Sequence, residues 1–139
     1  MSDEAALIAT LNAHLWRNAF NVWLGLELVA AGEAGVEIRL PWRAEFMSNP
    51  DRGGAHGGIL AALIDTAADF AIAARLGRPL PTIDLRVDYH RPAAAGPMLV
   101  RGTVIRLGRQ IATAEASVFD SEDRLLASGR GAYFAASAS

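Results

Sequence analysis

Between Gly57 and Leu76 the chain runs GGILAALIDTAADFAIAARL, a near-unbroken apolar stretch set with two carboxylates, Asp65 and Asp69. Its length and its lack of internal proline or β-branched clusters favour helix over strand. Twenty helical residues span about 30 Å, the width of a small domain. A helix that is apolar on every side belongs inside a membrane or a protein core. Two acidic groups near its middle would be costly in lipid, and the flanking segments read as β-structure. The stretch therefore predicts a core helix wrapped by a sheet. Asp is a poor mid-helix former, and burying its charge without a partner is expensive. Asp65 and Asp69 are thus expected to be paired or functional. They lie one turn apart, where they share a face and repel modestly, so either one has a basic partner or one is protonated, and Asp69 is assigned a structural role such as pairing with an arginine.

Composition narrows the class. At 139 residues the chain makes one domain, 1–139, able to build a core without staples. Hydrophobic content of 52% with 20% charged residues excludes a disordered chain. A formal net charge of −2 gives no global pull toward nucleic acid. The absence of cysteine excludes disulfides, thiolate nucleophiles and cysteine-based metal sites. His14, His56 and His90 are far apart and show no ligand spacing. No G-x-S-x-G nucleophile elbow is present. The opening MSDEAALIATLNAHLW lacks the cationic region and apolar core of a secretion signal, and a cytoplasmic location without membrane or nucleic-acid partners is expected.

In chain order, residues 1–20 predict an amphipathic helix on Leu7, Ile8, Leu11, Leu15 and Trp16, with Asp3 and Glu4 suited to its positive end. Strands are expected over Val22–Ala30 and Gly35–Pro41, joined by the glycine-containing turn AGEAG. Arg43–Ala55 reads as a loop with concentrated turn chemistry in NPDRGG, Asn49 to Gly54. Gly77 and two following prolines end the long helix. The closing part, 82–134, predicts four strands. They are Thr82–His90, with Ile83, Leu85, Val87 and Tyr89 on one face, then Met98–Leu107, Ile111–Phe119 and Arg124–Phe134. Residues 135–139 should fray. This order predicts an α+β domain in which an antiparallel sheet curls round one long helix. Apolar residues on the far sheet face and at the edges would then need cover, which predicts an oligomer.

That order, with HGG at 56–58 and an Asp seven residues after the second glycine, resembles the hot-dog fold acyl-CoA thioesterases. The closest group is the phenylacetic-acid-degradation and hydroxybenzoyl-CoA type. The family pattern is met by Asn49, Gly53, His56, Gly57, Gly58 and Asp65, and the likeness covers about residues 20–135. The resemblance implies a hot-dog fold, hydrolysis of acyl-CoA thioesters, and homodimers or homotetramers whose active sites are shared between subunits. It implies no cofactor beyond the coenzyme A of the substrate.

Thioester hydrolysis needs an activated water, a stabiliser for the oxyanion, and a groove for a long phosphorylated thiol. Asp65 suits a general base or a nucleophile, with burial expected to raise its pKa. A carboxylate satisfied by backbone or a sheet arginine is its structural alternative. The glycines at the helix start suit an oxyanion gaining charge near free N–H groups. The resemblance makes the Gly57 amide the donor, with Gly58 beside the substrate. His56 either orders the loop or acts as a base. Asn49 matches the family's loop Asn, which helps position the water or thioester, and it is equally a turn-former before Pro50. Thr82 stands where related enzymes carry Ser or Thr near the attacking water. Arg91, Arg106 and Arg109 lie near strand ends, where they can meet the phosphates of coenzyme A. Two other functions fit the residues. A hot-dog enoyl-CoA hydratase or dehydratase would pair His56 with Asp65, and a non-catalytic acyl-CoA binding protein would keep only the fold.

Overall fold

The computed structural model describes residues 2–136, so most of the fraying expected at 135–139 lies outside the described residues. The elements run α1 (Asp3–Leu15), α2 (Ala19–Leu24), β1 (Glu27–Gly32), β2 (Gly35–Leu40), α3 (Gly57–Leu76), β3 (Thr82–Tyr89), β4 (Met98–Leu107), β5 (Ile111–Asp120) and β6 (Leu125–Phe134). The six strands form one antiparallel sheet in the order β1-β2-β4-β5-β6-β3, and α3 lies across one face of it. This is the α+β arrangement read from the sequence.

The long helix has the bounds its sequence predicts. Gly77 ends it in the left-handed region at φ 87°. Its inward residues Leu63, Ile64, Ala67, Ala68 and Ala71 meet a sheet face of Val100, Ala112, Ala114, Ala116, Val118 and Tyr133, all buried. Alanine on both surfaces lets helix and sheet approach closely. The closest approach is at Gly102 of β4, where an added Cβ would fall 2.3 Å from the Ala67 carbonyl oxygen. Backbone cannot yield as a flexible side chain can. Gly102→Ala should therefore destabilise the fold by about 1–3 kcal/mol through overpacking. An unchanged denaturation midpoint in urea would show that α3 does not press on β4 there.

The N-terminal region departs from the expectation. There is no single helix over 1–20: α1 ends at Leu15, and the Asn18 side chain caps a second, shorter helix by accepting the Phe20 N–H. The strand expected from Val22 begins only at Glu27, because residues 22–24 complete α2 and Gly25 closes it at φ 80°. An Asn is a poor mid-helix residue and a strong cap, and that signal outweighs the apolar run after it. Trp16, expected on the buried face, is 49% exposed and donates its indole N–H to the Leu26 carbonyl. The Asn12 side chain instead ties α1 to β1, bonding both the N–H and the C=O of Leu28 at 2.9 Å.

The far face of the sheet carries a charged groove. Arg86, Asp88, Arg101, Glu115 and Arg130 line a groove there, with Arg101 over the Phe119 ring, and Arg101–Glu37 and Arg130–Asp84 pair across strands. Period-2 alternation sends these polar residues outward. Exposed apolar side chains remain on the strands, Ile105, Ile111 and Phe134 among them, and also at the expected edge. β3 pairs only with β6, and a bulge between Thr82 and Asp84 leaves Ile83 at 52% exposure, with Tyr89 at 54% at the other end. Only Leu85 and Val87 of that strand reach the core. Among the described residues no helix is long and apolar enough to cross a membrane.

Candidate active site

At the start of α3, His56 is the capping residue: its Nδ1 accepts the Gly58 N–H at 2.8 Å. That bond occupies the Gly58 amide, so Gly58 has no N–H to offer a ligand. Gly57 is the first helical residue, and its N–H has no acceptor within the helix. The Gly57 carbonyl accepts the Tyr89 hydroxyl at 2.6 Å. A Cβ on Gly57 would come within 3.2 Å of that tyrosine ring, a tight approach that the half-exposed side chain can relieve by a small shift. The Gly57 end opens on a cavity of ≈ 330 Å³ that Leu60, Tyr89, His90 and Arg91 also line.

Two turns further on, Asp65 points toward the start of β3 and the end of β6. Its Oδ1 accepts the Thr82 hydroxyl at 2.9 Å, and the Tyr133 hydroxyl lies 3.0 Å from both Oδ1 and the Asp65 carbonyl oxygen. Among the described residues no Lys, Arg or His makes an ion pair with it. Tyr133 has no exposed surface. Burial, and then the Asp65 and Asp69 carboxylates, hold its hydroxyl protonated far above the ordinary range, so it stays a donor. Both hydroxyls address Oδ1, which leaves Oδ2 for a ligand. Asp65 opens on a second cavity of ≈ 280 Å³, walled by His14, Asn18 and Asn21 from α1 and α2 and by Thr66, Asp69 and Thr82.

Among the described residues Asp69 pairs with no arginine. Its Oδ1 accepts the backbone N–H of Leu80 at 2.8 Å instead. Burial, opposed by that bond and reinforced by Asp65, raises its pKa from 3.8 to about 7. A carboxyl that binds its proton more tightly folded than unfolded stabilises the folded state only while protonated. Its cost is absent below pH 3.8, grows through the window up to about 7, and is complete above. At about 1.4 kcal/mol per pH unit this amounts to roughly 4 kcal/mol at most. Asp69→Asn keeps an acceptor for Leu80 and removes the charge. Thermal melts should therefore show the variant level with wild type near pH 4 and several degrees above it at pH 8. Parallel melts at both pH values would remove Asp69 as the source of this cost.

The remaining sequence-derived candidates fall into separate places. Asn49 turns its Oδ1 back on the Asp51 N–H, while its carbonyl accepts from Arg52 and Gly53, so this chain uses it as a turn-former. Arg91 shares the Gly57 cavity. Arg106 and Arg109 line neither cavity. Gly57 and Asp65 stand eight residues apart on one helix, which at 1.5 Å per residue is about 12 Å. The sequence reading missed Tyr133, His14, Asn18 and Asn21. A tyrosine on the buried face of β6 carried a signal, because a buried hydroxyl needs a partner.

The fold thus lays a hydroxyl-bound carboxylate, without an ion pair among the described residues, in the helix that the sheet wraps, and an amide without a helical acceptor at that helix's start. Residues 52–127 match the family model of the thioesterase superfamily. A Halobacterium salinarum protein named as a candidate esterase is 33% identical over 95% of this chain and 93% of its own length. The medium/long-chain acyl-CoA thioesterase YigI of Salmonella typhimurium is 26% identical over 96% of each chain. A crystal structure of a thioesterase-superfamily protein superposes with TM-score 0.91 at 43% identity, covering 93% of this chain and 98% of that one. A variant of the phenylacetic acid degradation protein PaaI of Thermus thermophilus gives TM-score 0.72 at 31% identity, covering 84% of this chain and 98% of that one. The chain belongs to the thioesterase superfamily, has its hot-dog fold, and is a thioester hydrolase by family.

Proposed function

We propose that this chain hydrolyses acyl-CoA thioesters to free acid and coenzyme A, with Asp65 as general base. The observation that carries the reading is the state of Asp65, which lines a cavity, forms no ion pair among the described residues and takes both hydroxyl bonds at Oδ1, leaving Oδ2 without a hydrogen bond. A water bound at Oδ2 loses its proton to the carboxylate as its oxygen attacks the thioester carbonyl. The tetrahedral oxyanion takes a hydrogen bond from the Gly57 amide at the positive end of α3. Its collapse expels the coenzyme A thiolate, which takes the proton held by Asp65 and so restores the carboxylate. Arg91, beside the Gly57 cavity, suits the phosphates of the thiol. No cofactor is assigned a role, and the reaction suits the cytoplasm.

A separation of about 12 Å prevents Asp65 and Gly57 of one chain from acting on one carbonyl. The exposed β3 edge supplies an answer. Thr82, at its start, bonds Asp65, and Tyr89, at its end, bonds Gly57. Two β3 strands paired antiparallel about a two-fold axis set the Thr82 end of one against the Tyr89 end of the other. Each Asp65 is thereby brought toward a partner's Gly57, and the uncovered Ile83 and Tyr89 gain cover. The functional unit is a homodimer with two composite sites, alone or within a homotetramer. Asn49 and His56 then stand on the loop that the partner brings to each composite site.

The hydratase alternative is weakened by His56, whose Nδ1 is taken by the Gly58 N–H. Thiol release measured across short, medium, long and aryl acyl-CoAs tests the proposal and identifies the acyl group. Binding without thiol release for the whole panel would leave only a ligand-binding protein, and water addition to an enoyl-CoA would point to the hydratase.

A further inference from the structure

We propose that Asp69 is a positioning residue for this hydrolytic site, acting through the Leu80 amide to hold the Thr82 hydroxyl on Asp65. The inference rests on the proposed hydrolysis and adds to it a residue that takes no part in the chemistry itself.

The argument begins with the backbone between α3 and β3. Gly77 leaves the helix in the left-handed region, and the chain then reads Arg78, Pro79, Leu80, Pro81, Thr82. Proline has no N–H, so Leu80 carries the sole backbone donor of residues 79–81. Leu80 is 4% exposed, and a buried N–H without an acceptor is costly. Asp69 supplies that acceptor at 2.8 Å. The prolines on either side fix φ at 79 and 81, so a restraint on Leu80 is passed to Thr82 with little slack. Thr82 in turn donates to Asp65 at 2.9 Å. Two carboxylates one turn apart on a single helix thus grip one short segment at both ends, Asp69 through the main chain and Asp65 through a side chain.

The same segment has every reason to drift without such a grip. β3 is an edge strand, and its register with β6 breaks between Thr82 and Asp84, immediately after the residue that must be placed. Pro81 is tied by its carbonyl to the Phe134 N–H, and Arg78 reaches the Ala135 carbonyl at 3.5 Å, so β6 holds the outer side of the turn. Asp69 is what holds the inner side against α3. A half-buried carboxylate beside a second one is electrostatically unfavourable, which a clamp of this kind accounts for and a generic helix residue would not.

The test uses the full-length enzyme and four substitutions: Asp69→Asn, Asp69→Glu, Asp69→Ala and Thr82→Val. With an acyl-CoA that wild type turns over, Asp69→Ala should lower kcat about tenfold or more, on the scale of a slightly misplaced group, while KM stays within about twofold. Asp69→Asn, which keeps an acceptor in place, should recover most of that loss. Asp69→Glu, which moves the acceptor by one methylene, should fall between them and serves if the Ala variant does not fold. The Asp69→Ala/Thr82→Val double variant should be no slower than Thr82→Val alone, because both act through one hydroxyl. Amide exchange followed by NMR supplies a readout independent of catalysis: the Leu80 N–H should be protected in wild type and Asp69→Asn and exchange rapidly in Asp69→Ala. Equal protection of Leu80 in the Ala variant, or losses at 69 and 82 that multiply in the double variant, would overturn the proposal. If wild type releases thiol from no acyl-CoA, the hydrolytic reading fails, and the exchange measurement still decides whether the clamp exists.

Discussion

Asp65→Asn is expected to reduce kcat for acyl-CoA hydrolysis by about a hundredfold or more while leaving the melting temperature close to that of wild type. The magnitude follows from the loss of a general base, whose contribution is typically 10²–10⁴-fold. Retention of the fold follows from the local bonding. The Asn side-chain oxygen can still accept from Thr82 and Tyr133, so neither hydroxyl is orphaned. What disappears is the negative charge that lets the side chain take a proton from water. The split between kcat and KM is informative as well. If Asp65 acts only on the attacking water, KM changes little, because the group makes its interaction in the transition state. A variant that keeps even a third of wild-type kcat across the acyl-CoA panel would remove Asp65 from the mechanism. Labelled solvent oxygen found in the Asp65 carboxylate after a single turnover would reveal a covalent acyl–Asp65 anhydride opened by water at its aspartyl carbon, whereas direct attack of an activated water places the label in the product acid.

How much of this was legible without coordinates varies with the kind of signal. The central helix was readable to the residue, because its apolar run, its glycine stop and the prolines after it all agree. The carboxylate stood out for the same reason, since it violates the pattern around it. The break at Asn18 was not read, although Asn is a strong N-cap; the apolar residues Val22, Trp23 and Leu24 mimic the start of a strand, and only packing decides between a short helix and an extended run. The arginine expected for Asp69 was wrong for a related reason. A backbone N–H from a Pro-flanked leucine leaves no charge signature in a sequence, whereas the arginines advertise themselves and then turn outward to pair with Asp84, Glu37 and Asp120. Tyr133 was missed because its β-propensity explained it sufficiently, and its hydroxyl acquires meaning only when strand order sets β6 beneath α3. Separation is the last such quantity. The motif residues lie within one short stretch of sequence, and that proximity conceals about 12 Å of helix between the amide and the carboxylate.

That distance leads to the second large effect, a recovery of activity from two inactive proteins. Gly57→Pro removes the amide N–H at a position where proline is otherwise well accommodated: it is the first helical residue, and His56 before it has ψ 134°, in the range that precedes proline. The nearest obstacle is the half-exposed Tyr89 ring, which can give way. Loss of one oxyanion donor should lower kcat by about 10²–10³-fold, so Gly57→Pro and Asp65→Asn are each nearly inactive alone. In a heterodimer of the two, one composite site carries both substitutions and the other carries neither. Random reassembly of an equal mixture makes half the dimers mixed, each with one of its two sites intact, so activity should return to about a quarter of the wild-type value. Differently tagged chains, co-purified after mild denaturation and refolding, confirm that exchange has occurred. If mixed dimers form and activity stays at the level of the parents, then Asp65 and Gly57 serve the same chain's site, and β3 pairing does not build it. The size of the recovery also separates a shared site from a mere stabilising contact, because a contact restored between two damaged chains returns neither the missing base nor the missing amide.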